Sequence, residues 1–284
     1  TDDYRDKVDR ELARVLDECG IQSNKVLISN EYLVGAEAHN FFADTNPVMV
    51  VRKMFKKPKI IFIIRKQDDF LESWYANQVR SGRWDHIEQV LNYYDGELRD
   101  FKFSFRLNLD VKQLSWNAFV GHLEELFGAE NVLVVPLELL RKDPKRFVES
   151  VTNFMGVEFK APAKVERVNV KFPFLTLWLV RFVNRLTNNG FNGLVLLPQS
   201  PLNIFLRKWA FRPFHDRPKW IRKLIWLSNT MKWVYLLWPI GKLIPIKGQF
   251  IKDELRKKIM AHHSEGNRLL DERRKLGLKE YGYY

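Results

Sequence analysis

Two side chains have the clearest chemical use. Arg65 closes the apolar run Lys59-Ile60-Ile61-Phe62-Ile63-Ile64-Arg65, and Ser73 follows eight residues later in a stretch with helical spacing. A guanidinium at a strand end and a hydroxyl near the start of the next helix suit a phosphate, because the helix amino terminus adds free N–H groups and positive partial charge. The plainer reading is an Arg65 paired with Asp68 or Asp69 and a Ser73 on a helix surface. Glu31 stands just after Val26-Leu27-Ile28-Ser29, where a carboxylate suits general-base work. Taken alone, a capping or surface acid is the commoner outcome there, and His39 is a competing base. Glu138, in Pro136-Leu137-Glu138-Leu139-Leu140, suits a structural task, orienting a neighbouring basic group or loop.

These residues need elements to place them. Val26–Ser29, Lys59–Arg65 and Asn131–Pro136 read as short buried strands. The second is unbroken and β-branched, as in a parallel strand covered on both faces. Helical spacing covers Tyr4–Asp17, Ala36–Phe55 (interrupted near Pro47), His86–Tyr94 and Val111–Phe127, the last ended by Gly128. Another helix opens at Asp68 or Asp69, with Asp69-x-x-Glu72 resembling a capping box, and another runs from Asp143-Pro144 to Gly156. Strands alternating with helices predict an α/β fold with a mostly parallel sheet, whose ligands sit at the carboxyl ends of the strands. Beyond Arg167 the pattern turns helical.

The 284 residues are 46% hydrophobic and 29% charged, which excludes wholesale disorder. The single cysteine, Cys19, excludes an internal disulfide framework and favours a reducing compartment. CxxC, HExxH, GxGxxG and GxSxG are missing, so zinc sites, dinucleotide folds and hydrolase elbows lose their signatures. The uncharged run between Arg185 and Arg207 holds Pro198 and Pro201 and is no spanning helix. Net charge is +13, and the stretch Arg167–Phe250 carries all of it, with fourteen Lys or Arg against Asp216. It also holds six of the nine tryptophans. Trp220, Leu224, Leu227, Met231, Val234 and Trp238 step like a core stripe. Besides core packing, this stretch suits an interfacial helix on anionic lipid, then an acidic-glycan groove, with nucleic acid last.

The segment from Lys59 through Arg65 to Ser73-Trp74-Tyr75 and Arg80-Ser81-Gly82 resembles the 3′-phosphate-binding motif of sulfotransferases, which use 3′-phosphoadenosine 5′-phosphosulfate (PAPS). Val132–Leu140 with Asp143-Pro144 is similar to a later strand of that family, and Val26–Glu31 to the strand ending in its catalytic Glu or His. Asn267-Arg268-Leu269-Leu270 through Tyr281-Gly282-Tyr283 resembles the ending of many bacterial members. The resemblance implies a P-loop-type parallel sheet flanked by helices, with a helical, basic, Trp-rich C-terminal part. It implies that residues 1–166 form the PAPS-binding α/β core and residues 167–284 a helical part of the same domain. Arg65 and Ser73 would grip the 3′-phosphate around one pocket, and Glu31 would take the proton of a hydroxyl acceptor, on a carbohydrate or glycolipid, without a metal. Arg167 and Asn169 resemble a recurrent segment near the site. The family's lysine-bearing 5′-phosphosulfate loop has no counterpart here. Since the chain starts at Thr1 inside a helical pattern, the expectation is an N-terminally incomplete and inactive piece of a cytoplasmic protein, peripheral to a membrane. The alternative is a non-catalytic protein binding anionic surfaces on a degenerate nucleotide-binding fold.

Overall fold

A computed structural model of the chain describes residues 2–18, 26–29, 46–100, 109–158, 171–187, 196–197, 218, 220 and 233–284. In chain order the elements are helices α1 (Asp2–Glu18) and α2 (Asn46–Met54), strand β1 (Ile60–Ile64), and helices α3 (Gln67–Arg80) and α4 (Ile87–Val90). Short strands β2 (Tyr93–Tyr94) and β3 (Glu97–Leu98), helix α5 (Trp116–Phe127) and strand β4 (Val132–Pro136) follow. Helices α6 (Leu137–Lys142), α7 (Pro144–Met155), α8 (Phe174–Asn184), α9 (Trp233–Leu243) and α10 (Asp253–Arg274) complete the order. Contacts divide the chain into two compact units. The first is Thr1–Gln67, Leu91–Ala163 and Lys257–Tyr284, and the second is Asp68–Val90 and Lys164–Arg256.

The first unit is a parallel β pair flanked by helices. β1 and β4 pair from Ile60 opposite Val132 to Ile64 opposite Pro136, with the long crossover that parallel neighbours require. Phe62 on β1 packs into α5, meeting the Phe119 ring at 4.8 Å and the Trp116 ring edge-on at 6.0 Å. Ile63 on the opposite face is 49% exposed, so among the described residues that face of β1 is the less covered. The helix limits follow local chemistry. The Ser115 hydroxyl accepts from the Ala118 N–H at 3.3 Å and starts α5, and the Asp143 carboxylate accepts from the Arg146 N–H at 3.0 Å ahead of Pro144 in α7. Gly156 stops α7 in the left-handed region at φ 64°.

Two expectations are corrected. Residues 26–29 form no strand, and Leu27 is 62% exposed. The run is apolar enough, but a strand is held by a neighbour's N–H and C=O groups, and no described strand pairs with it. The helix expected over His86–Tyr94 ends at Val90. Tyr93 and Tyr94 instead pair with Leu98 and Glu97 in a hairpin. Asp95 and Gly96 turn it with φ 54° and 78°, the Asp-Gly signal of a two-residue β-turn.

In the second unit, Asn184 at the end of α8 donates to the Val79 and Arg83 carbonyls at 2.7 and 2.9 Å. The Tyr75 hydroxyl donates to the Asp85 carbonyl, and burial pushes its pKa up to about 12. Phe250 sits 5.0 Å from the rings of both Tyr75 and Phe174. Helices α8 and α9 pack closely where Gly241 faces Thr176. A Cβ there would lie 2.1 Å from the Thr176 Oγ1 and 2.9 Å from the Pro173 Cβ. Of the stripe expected from Trp220 to Trp238, Val234 is buried and Trp238 half-buried, Trp220 is exposed, and Leu224, Leu227 and Met231 lie outside the described residues.

Gly241→Ala is expected to overpack this contact and cost about 1–3 kcal/mol. Gly121→Ala, whose new Cβ meets nothing within 4 Å in α5, is expected to gain roughly 0.5–1 kcal/mol from helix propensity. Urea unfolding of both variants checks the contrast, and equal effects would disprove the close approach.

Candidate active site

Where β1 ends, its ladder stops and the chain must turn into α3, leaving backbone groups to be satisfied by other means. Three residues make that turn. The Arg65 carbonyl accepts the Trp116 indole N–H at 2.8 Å. The Lys66 N–H donates to Glu138 Oε1 at 3.2 Å, and the other oxygen of the same carboxylate accepts from the Tyr283 hydroxyl at 2.8 Å. Gln67 exchanges paired amide hydrogen bonds with Asn267, at 2.8 and 3.0 Å, and Asn267 also donates to the Tyr283 carbonyl at 3.0 Å. Gln67, Asn267 and Tyr283 are buried. The loop that carries the half-buried Arg65 is thus fixed by α5, by the start of α6, by α10 and by the segment after it.

That last segment has its own anchor. Asp271 accepts from the Gly277 N–H at 2.7 Å, the Tyr284 hydroxyl at 2.9 Å and the Lys279 N–H at 3.4 Å. Burial works against the Asp271 charge, but these donors outweigh it and hold the carboxyl below its usual range.

Within the second unit, Ser73 is half-buried on α3, on the helix face shared by Asp69, Phe70, Asn77 and Arg80. The acids of this helix start are engaged. Asp68 is buried and meets the Arg256 guanidinium at 2.6 Å, with Asp69 at 3.5 Å and Glu72 at 3.8 Å from the same group. Burial opposes the Arg256 charge, but Asp68 first, then Asp69 and Glu72, offset it and raise its pKa. Glu72 does not close a capping box. Its two oxygens accept from the Phe250 and Ile251 N–H groups at 2.8 and 2.9 Å, and the helix already starts at Gln67.

Arg65 belongs to the first unit and Ser73 to the second, so their meeting on one phosphate rests on the strand-to-helix spacing. Glu31, His39, Arg167 and Asn169 lie outside the described residues. Glu138 does hold a loop, the one that begins at Arg65. Trp116, Gln67, Asn267 and Tyr283 carried no role in the sequence reading. The Asn267–Tyr283 tail was visible as a resemblance, but nothing local announces its partner.

The profile of the sulfotransferase domain family matches residues 8–174. The chain belongs to this family, whose reaction is sulfuryl transfer. No curated protein and no solved structure matches it.

Tyr283→Phe is expected to cost about 0.5–1.5 kcal/mol, one hydrogen bond, whereas Glu138→Ala strands both a backbone N–H and a hydroxyl at about 1–3 kcal/mol each. A double-mutant cycle in urea should show a coupling of about 0.5–3 kcal/mol, and strict additivity would deny the shared carboxylate.

One turn before Asn267, His263 is buried, and its Nε2 has no hydrogen-bond partner among the described residues. Burial first, and the adjacent His262 second, push its pKa down to about 4. An unfolded histidine titrates near pH 6.5, so the unfolded chain takes the proton first. The contribution is intact above that pH and falls away as the pH drops towards the folded value, by up to about 1.4 kcal/mol per pH unit. His263→Phe should flatten this part of the stability-against-pH curve, and an unchanged slope would show that His263 is not the titrating group.

Proposed function

We propose that the protein transfers the sulfuryl group of PAPS to a hydroxyl on a carbohydrate or glycolipid. The observation that carries this reading is the braced turn Arg65-Lys66-Gln67 at the carboxyl end of a parallel strand, opening helix α3 within the span matched to the sulfotransferase family. A phosphate site needs a cation that stays in place, since catalysis of group transfer is mostly positioning and charge stabilisation. Arg65 and Ser73 grip the 3′-phosphate, the group that separates this donor from ATP. Glu31 takes the proton of the acceptor hydroxyl while the acceptor oxygen bonds to sulfur and the sulfur–oxygen bond to the adenosine bisphosphate breaks. A base of this kind contributes about 10²–10⁴-fold.

Calorimetric titration tests the donor half. The chain is expected to prefer adenosine 3′,5′-bisphosphate to adenosine 5′-monophosphate, and Arg65→Ala to erase the preference at a cost of roughly ten- to a hundredfold in affinity. In the full-length protein, Glu31→Gln is expected to leave that affinity alone and remove most of the transfer. Equal affinity of wild type and Arg65→Ala for the bisphosphate would refute the assignment.

A further inference from the structure

We infer that the exposed face of α9, continued through residue 249, is a docking surface for an anionic lipid bilayer. The two helices bury their facing sides, with Leu177, Val180 and Val234 inside and the Thr176 hydroxyl directed to the Leu237 carbonyl at 3.5 Å. What they leave outside is not a solvated polar face. On α9, Leu236, Ile240 and Leu243 follow one another at helical spacing on the side away from Val234 and Gly241, Leu243 at 81% exposure, and Ile244 and Ile246 extend the exposed apolar surface beyond the helix. Soluble monomers expose apolar side chains singly and seldom in such runs.

Residues 233–249 carry Lys242 and Lys247 and no Asp or Glu, and Asp253 beyond them accepts from the Gln249 side-chain amide at 2.7 Å. The Lys242 ammonium lies 4.4 Å from the centre of the Trp238 ring, keeping charge and aromatic surface together. An anionic bilayer supplies both complements, phosphate and carboxylate at the surface and hydrocarbon just below. An acidic glycan supplies only the first and has nothing to place against Leu243, Ile244 or Ile246. With eleven residues, α9 is about half the length needed to cross the hydrocarbon, and no described helix is long and apolar enough to span a membrane. The helix therefore lies on the membrane.

The surface stands on α9 and residues 244–249 and does not depend on the transfer reaction. Sedimentation of the 284-residue chain with vesicles of phosphatidylcholine, with and without phosphatidylserine, tests it. The protein is expected to sediment with the serine-containing vesicles at low salt and to be released as salt screens the charges. Leu243→Asp with Ile246→Asp, two exposed positions, should weaken partitioning at least tenfold, and Lys242→Glu with Lys247→Glu should abolish the preference for anionic vesicles. Both pairs should leave binding of adenosine 3′,5′-bisphosphate as it is in the unaltered chain, which separates loss of the surface from loss of the donor site. The inference is overturned by failure to sediment with anionic vesicles at low salt, by binding indifferent to the Leu243 and Ile246 changes, or by retention on heparin without vesicle binding.

Discussion

A parallel strand gives up its ladder at its carboxyl end, and whatever follows must satisfy its backbone groups without a sheet. In this protein the difficulty falls on the residues that leave β1. The Arg65 carbonyl is taken by an indole, the Lys66 N–H by a carboxylate, and Gln67 by another amide. The donors and acceptors come from α5, α6 and α10, so the turn has little freedom once those helices are packed. Folding fixes the backbone that carries Arg65, and Lys66, Glu138, Tyr283, Asn267 and Gln67 form one connected set of hydrogen bonds.

Much of the scaffold was legible because its signals are local. The five-residue apolar core of β1, the Asp143-Pro144 start and Gly156 stop of α7, and the end of α5 at Gly128 appear where residue type and spacing put them. Arg65 and Glu138 could be singled out because each stands next to a strand. Their relationship could not, because Glu138 reaches Lys66 across the chain, and the Gln67–Asn267 pair joins residues with no shared pattern. The errors have the same origin. Val26–Ser29 has the composition of a strand but no neighbour among the described strands, and the helical period over His86–Tyr94 concealed an Asp-Gly turn whose positive φ values decide the local structure.

In the second unit, acids at the start of α3 were read as a capping device and serve instead as long-range ties. Asp68 engages Arg256, and Glu72 holds two successive backbone N–H groups at Phe250 and Ile251. A carboxylate near a helix start is favoured by the helix dipole whichever partner it finds. Sequence therefore locates such a group well and identifies its partner poorly. The same unit shows why a glycine can matter inside a helix, since Gly241 lets α9 approach Thr176 and Pro173 at a distance that any side chain would prevent.

The pairing of Gln67 with Asn267 spans 200 residues, and this sets a timetable for the chain as it is made. Translation at about 5–20 residues per second puts roughly 10–40 s between the emergence of β1 and that of the helix that braces its end. Throughout that interval the turn after Arg65 lacks its Asn267 and Tyr283 partners. Nascent chains are therefore born with the turn after β1 unfinished, and it is completed only when α10 and the segment behind it dock.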